Sequence, residues 1–157
     1  MRGLRRRARL RENRACDARA TLQMHLATPS GSRFGAGTGP PMRILVVEDD
    51  DDSREGLRLL LEASGHRVET AATGPDGLEK LVTGEHDAAI VDIDLPGMNG
   101  YEIARRARRL PALSGVRLIA LTGYGRDKDR AAAEDAGFNL HLTKPVSFAT
   151  LRRKIES

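Results

Sequence analysis

Cysteine is almost absent: Cys16 is the only one in 157 residues. A single thiol leaves no partner for an intrachain disulfide and no thiolate cluster for a metal. A reducing cytoplasm is the simplest setting for such a chain. Long apolar runs are missing too, and none approaches the roughly 20 residues that a membrane helix needs. The basic N-terminus is not followed by an apolar stretch, so it does not read as a secretory signal. What remains is 39% hydrophobic and 31% charged, a balance that suits a soluble globular domain with one core.

Excess positive charge is confined to the N-terminal quarter. Residues 1–41 carry nine arginines against Glu12 and Asp17, a net of +7. The rest carries 17 basic and 20 acidic side chains, a net of −3. The pI of 9.7 therefore describes the N-terminal segment. It does not indicate a basic nucleic-acid-binding face on the folded part.

Residues 28–41 read TPSGSRFGAGTGPP. Such a stretch cannot bury enough apolar surface to order itself. Two regions are expected: an Arg-rich, disordered extension with a Gly/Pro linker at 1–41, and a folded domain at 42–157. The break in composition makes Met42 a candidate natural start. An intact mass of the natively expressed protein that includes Arg2 to Pro41 would exclude that.

From Met42 onward short apolar runs alternate with amphipathic stretches. Strands are expected at Arg43–Val47, His66–Ala71, Asp87–Val91, Val116–Leu121 and Asn139–Leu142. The first is continuously apolar, as in a sheet covered on both faces. The helix after it is expected to be capped by Asp52 or Ser53, to turn Leu57, Leu60 and Leu61 inward, and to stop at Gly65. Further helices are expected at Pro75–Thr83, at Tyr101–Leu110 with Ile103, Ala107 and Leu110 inward, and at Asp127–Ala136. A fifth, final helix carries Phe148, Leu151 and Ile155 on its apolar face. Five βα units in a row imply an α/β fold, a parallel sheet with helices on both faces. Ligands of such sheets bind beyond the carboxyl ends of the strands.

The chemistry is concentrated at those ends. The first strand runs into Glu48-Asp49, the third into Asp92, the fourth into Thr122, and Lys144-Pro145 follows the fifth. Three clustered carboxylates repel one another unless a cation sits among them. All-oxygen donors point to a hard ion, and Mg²⁺ is the usual partner of phosphoryl groups. The set suits phosphoryl transfer to a carboxylate, with Asp92 as nucleophile, Thr122 as hydrogen-bond donor and Lys144 as a point charge.

These residues lie in ILVVEDD at 44–50, VDIDLPGMNGYE at 91–102, LTGYG at 121–125 and LTKPV at 142–146. Taken together, and with Thr122 and Lys144 standing 30 and 52 residues after Asp92, the motifs resemble the receiver domain of two-component response regulators. The resemblance covers residues 42–157. It implies a flavodoxin-like, doubly wound (βα)5 fold with strand order 2-1-3-4-5. It implies that Glu48 and Asp49 hold Mg²⁺ with Asp92 and the backbone carbonyl of Asp94. Asp92 is then the phosphoacceptor, Thr122 the switch hydroxyl and Lys144 the active-site lysine, with a cis peptide before Pro145. Tyr124 and the Asp94 side chain would control access of water. The second switch position, commonly Tyr or Phe in the family, is His141. AGFNLHLTKPV at 136–146 is similar in this to receivers of hybrid histidine kinases.

The resemblance further implies a protein that is not an enzyme beyond its own Mg²⁺-dependent phosphorylation and dephosphorylation. Its expected partners are a sensor histidine kinase or histidine phosphotransfer protein and a downstream protein target, with no membrane and no nucleic acid. A monomer or weak dimer is expected. Two other functions compete: a phosphorylation-independent pseudo-receiver, and a DNA-associated regulator using the basic tail. The intact acidic site argues against the first. The lack of a helix-turn-helix in these residues argues against the second.

Simpler readings apply elsewhere. Asp51 and Asp52 suit a helix start, while Asp50 is either that or a support for metal-bound water. Gly97 and Gly100 suit turns, and Gly123 leaves space beside the phosphoryl site. His25, His66 and His86 are expected at the surface, and His141 is either a switch or a half-buried strand residue. The arginines at 105, 106, 108 and 109 are expected to form a solvated helix face.

Overall fold

The computed structural model describes residues 40–123 and 127–157. The expected extension therefore lies outside the described residues except for Pro40 and Pro41, and Tyr124 lies outside them too. The elements run β1 (Arg43–Val47), α1 (Asp51–Ala63), β2 (Arg67–Ala71), α2 (Gly74–Thr83), β3 (Ala88–Asp92) and α3 (Gly100–Arg108). After a 3₁₀ turn at Pro111–Leu113 come β4 (Arg117–Thr122), α4 (Asp127–Ala136), β5 (Leu140–Thr143) and α5 (Phe148–Glu156). All strand pairs are parallel, in the expected order β2-β1-β3-β4-β5.

The apolar run of β1 is explained by its two covered faces. Leu45 and Val47 pack with Leu81, Ile103, Ala104 and Ala133, from α2, α3 and α4. Ile44 and Val46 pack with Leu61, Leu151 and Ile155, from α1 and α5. Each fully buried Leu or Ile contributes about 1.5–3 kcal/mol relative to exposure, so these two layers hold the sheet. β2, at one edge, alternates as expected.

Several local expectations are corrected. Asp50 caps α1, its carboxylate accepting from Ser53 N–H at 2.8 Å, so Asp52 and Ser53 lie inside the helix. Leu61 is buried and Leu57 packs beside it, but Leu60, a 100° step away, is 43% exposed. It lines a groove of about 550 Å³ with Pro145 and Val146. Leu110 lies past the end of α3 and is 38% exposed, while Ile103 and Ala107 do point inward. Gly65 and Gly137 stop α1 and α4 as expected, at φ of +94° and +101°.

Two histidines expected at the surface are enclosed. His66 accepts from Met42 N–H through Nδ1 at 3.3 Å, and its Nε2 lies 3.7 Å from Glu156 on α5. The His86 side chain is 4% exposed, with Nε2 3.0 Å from Glu69. His25 lies outside the described residues.

Arg108 leaves the solvated face assigned to it. Its guanidinium donates to the carbonyls of Gly137, Leu113 and Val116 and to Asn139 Oδ1, each at 2.7–2.9 Å. Burial pulls its pKa down from the usual value. Asn139 Oδ1 also accepts from Leu118 N–H at 2.8 Å. One side chain thus ties the end of α3 to the start of β4 and to the α4–β5 turn.

Candidate functional site

β1 and β3 lie side by side with Val47 opposite Val91. One residue further stand two carboxylates, Glu48 just past the end of β1 and Asp92 at the end of β3. Glu48 is 2% exposed and Asp92 5%, while Asp49 and Asp94 are exposed. One carboxylate oxygen from each of Glu48, Asp49 and Asp92 lies within 4.8 Å of the others. The predicted trio is thus brought together, buried at its base and open at its mouth.

Thr122 ends β4, next to the Leu121 that pairs with Asp92, and is 2% exposed. Its carbonyl accepts from Lys144 N–H at 2.7 Å, which seats the loop after β5. The Lys144-Pro145 peptide is cis, as expected. Lys144 Nζ donates to Glu48 Oε2 at 2.7 Å and to Asp92 Oδ2 at 2.9 Å. The other Asp92 oxygen accepts from Asp94 N–H at 3.2 Å.

Burial pushes the Glu48 carboxyl pKa up, and the neighbouring Asp92 adds to this against the hydrogen bond from Lys144. Burial alone would pull Lys144 down, but its bonds to Glu48 and Asp92 outweigh it and hold the ammonium above its usual value. One lysine thus faces two buried carboxylates, and three negative side chains meet one cation. The donors are all oxygens, which is the chemistry that takes a hard divalent ion such as Mg²⁺.

Gly100 does more than serve a turn. It opens α3 and presses on the end of β3: a Cβ there would lie 2.5 Å from Asp92 O and 2.9 Å from Ile93 Cα. Its N–H donates to Ile93 O at 3.1 Å. Among the described residues a Cβ at Gly123 would meet only Asp94 Oδ2, at 3.7 Å, which leaves room beside the site there.

His141 is not brought to the acidic cluster. It pairs with Ala120 on β4, two residues short of Thr122. It is half-buried, and its enclosed Nε2 has no hydrogen-bond partner among the described residues. With Arg130, Glu134 and Phe138 it lines a cavity of about 260 Å³ between α4 and β5.

The motifs did not mark Arg54. Its Nη1 donates to the carbonyls of Glu48 and Asp49, at 2.8 and 3.3 Å, and its Nη2 bonds Asp51. The available signal was an arginine in the first helical turn after the acid pair, three residues from Asp51. Asp50 turns out to be a cap, held below the usual carboxylate range by its bonds from Ser53.

Fold and site together define a doubly wound α/β domain with a cluster of three carboxylates at its strand ends. Residues 44–156 match the response regulator receiver domain family, and the chain belongs to it. An uncharacterised 14.6 kDa protein from the sodA1 3′ region of Leptolyngbya boryana is 41% identical over 73% of this chain and 88% of its own length. The transcriptional regulatory protein AfsQ1 of Streptomyces coelicolor is 39% identical over 73% of this chain. The chain spans about half the length of that regulator, 49%. The receiver domain of the sensor histidine kinase PA1611 from Pseudomonas aeruginosa PAO1 superposes with a TM-score of 0.68 at 31% identity. That match covers 74% of this chain and 95% of the receiver, which was solved with magnesium coordinated in its active-site cleft. The chain is thus a receiver domain of two-component signal transduction. Among the described residues no helix is long and apolar enough to cross a membrane.

Proposed function

We propose that Asp92 accepts a phosphoryl group from a phosphohistidine on a sensor kinase or phosphotransfer protein, in the cytoplasm, and that the chain signals by contact with a downstream protein. The observation that carries this is the convergence of Glu48, Asp49 and Lys144 on Asp92. A carboxylate oxygen of Asp92 attacks phosphorus; the new P–O bond forms as the P–N bond to the donor imidazole breaks, and the imidazole leaves with the bond's electron pair. Mg²⁺ held by Glu48, Asp49, Asp92 and the Asp94 carbonyl would supply neutralisation of the phosphoryl charge.

The chain's own groups do the rest. Lys144, already on Asp92 Oδ2, exchanges a carboxylate oxygen for a phosphoryl oxygen. The Asp94 N–H holds Oδ1 and so fixes the rotation of the nucleophile. Thr122, at the end of β4, donates its hydroxyl to the phosphoryl group. The resulting pull on β4 reaches β5, where His141 sits opposite Ala120. Thr122 and His141 are therefore the proposed switch pair.

Incubation with Mg²⁺ and a small-molecule phosphodonor is expected to add the mass of one phosphoryl group to the intact chain. No gain, or a gain that persists in Asp92→Ala, overturns the assignment and leaves a phosphorylation-independent module.

A further inference from the structure

Arg54 belongs to none of the motifs, yet it grips the backbone that carries the acid pair. Its side chain is 18% exposed. The two carbonyls it binds, of Glu48 and Asp49, belong to the two peptide planes that flank the Asp49 Cα. A backbone has two soft dihedrals per residue, and they set the orientation of those planes. Holding both planes therefore fixes the direction of the Asp49 Cα–Cβ bond.

Asp49 depends on such support more than its neighbours do. Glu48 is buried and bonded by Lys144, and Asp92 is held by Lys144 and Asp94. The Asp49 carboxylate is exposed, and no side-chain hydrogen bond from the described residues orients it. Its place within 4.8 Å of the other two oxygens has to come from its backbone. The Asp50 cap fixes the next residue of the loop, and the ion pair to Asp51 anchors the guanidinium from the other side.

We infer that Arg54 is a positioning residue of the cation site, holding the peptides on both sides of Asp49 so that its carboxylate meets those of Glu48 and Asp92. The inference rests on the Mg²⁺ reading above. Removing an outer partner that orients a metal ligand costs about 10- to 100-fold in metal affinity. An arginine that only stabilised α1 would not act through Asp49, and a double-mutant cycle separates the two roles.

The experiment is Mg²⁺ titration of the full chain, followed by amide chemical shifts. It compares wild type, Arg54→Ala, Arg54→Lys, Asp49→Asn and the Arg54→Ala/Asp49→Asn pair. Arg54→Ala is expected to raise the Mg²⁺ Kd about 10-fold. Arg54→Lys recovers part of this, because an ammonium lacks the fork that serves several acceptors at once. In the Asp49→Asn background the same change costs less than about 2-fold. Amide exchange at Asp49 and Asp50 in the metal-free chain is expected to quicken in Arg54→Ala, a readout that needs no bound ion. An unchanged Kd in Arg54→Ala, or a loss undiminished by Asp49→Asn, overturns the role of Arg54. A wild-type chain that never saturates with Mg²⁺ overturns instead the reading on which this inference rests.

Discussion

Asp49 illustrates how a single residue trades stability against function. Its carboxylate stands within 4.8 Å of two others, with Lys144 spent on Glu48 and Asp92. Two like charges about 4 Å apart in a solvated setting repel by about 1 kcal/mol. Asp49→Asn is therefore expected to stabilise the metal-free chain by up to about 1 kcal/mol and to remove most of the stabilisation that Mg²⁺ gives the wild type. Urea unfolding in EDTA and in Mg²⁺ checks both signs; a variant less stable than wild type in EDTA would refute the repulsion. The site residues were legible because chemistry and spacing agree: a carboxylate after an apolar strand, in a parallel sheet, has to emerge at the ligand-binding edge. Arg54 was less legible. Its partners are backbone carbonyls, which every residue has, so no pairing of side-chain types announces them.

At the scale of elements, Arg108 shows what helix phase decides. Four arginines crowd the end of α3 and are alike in composition. Ile103, Ala104 and Ala107 are buried, and Arg108 follows Ala104 by four residues, on the same helix face. It is thus the arginine drawn under the α4–β5 turn, 29 residues away at Gly137. The 3.6-residue period held this information, but a run of like charges masked it. Arg108→Ala strips the donor from three carbonyls and from Asn139 Oδ1. A loss of about 2–3 kcal/mol is expected in urea unfolding, with Arg108→Lys recovering only part because it lacks the planar fork. A loss below about 0.5 kcal/mol, the usual value for a solvated surface position, would return Arg108 to the solvated face. Strand boundaries were legible to within a residue, since the apolar run and the buried run coincide in β1 and β3. The enclosure of His66 and His86 was not, because the carboxylates beside them, Glu156 and Glu69, lie far along the chain.

At the scale of the whole molecule, the acidic edge of the sheet sets how stability follows pH. Burial and Asp92 hold the Glu48 carboxyl above its ordinary 4.5. Between 4.5 and that raised value the folded chain binds more protons than the unfolded one, so stability falls as pH rises through the window. Lys144 is raised as well, from 10.5. Its contribution is complete at neutral pH and is lost only in strong base. Asp50 and Glu55 are held low by hydrogen bonds from Ser53 and Arg58. Their contributions are complete above the ordinary carboxylate range and are lost only as pH falls below it. Of these groups, Glu48 alone acts just above the ordinary carboxylate value of 4.5. A divalent cation competes with the proton for the same carboxylate, and it stabilises by RT ln(1 + [L]/Kd). The Mg²⁺ gain should therefore grow as pH rises. In EDTA, the wild-type Tm is expected to fall more steeply as pH rises above 4.5 than that of Glu48→Gln, which has no proton to lose. In Mg²⁺, the wild-type gain should grow as pH rises above 4.5, while Glu48→Gln gains little throughout. Thermal unfolding in the two buffers checks this. EDTA curves that run parallel for the two chains would remove Glu48 as the source of the slope and place it elsewhere in the fold.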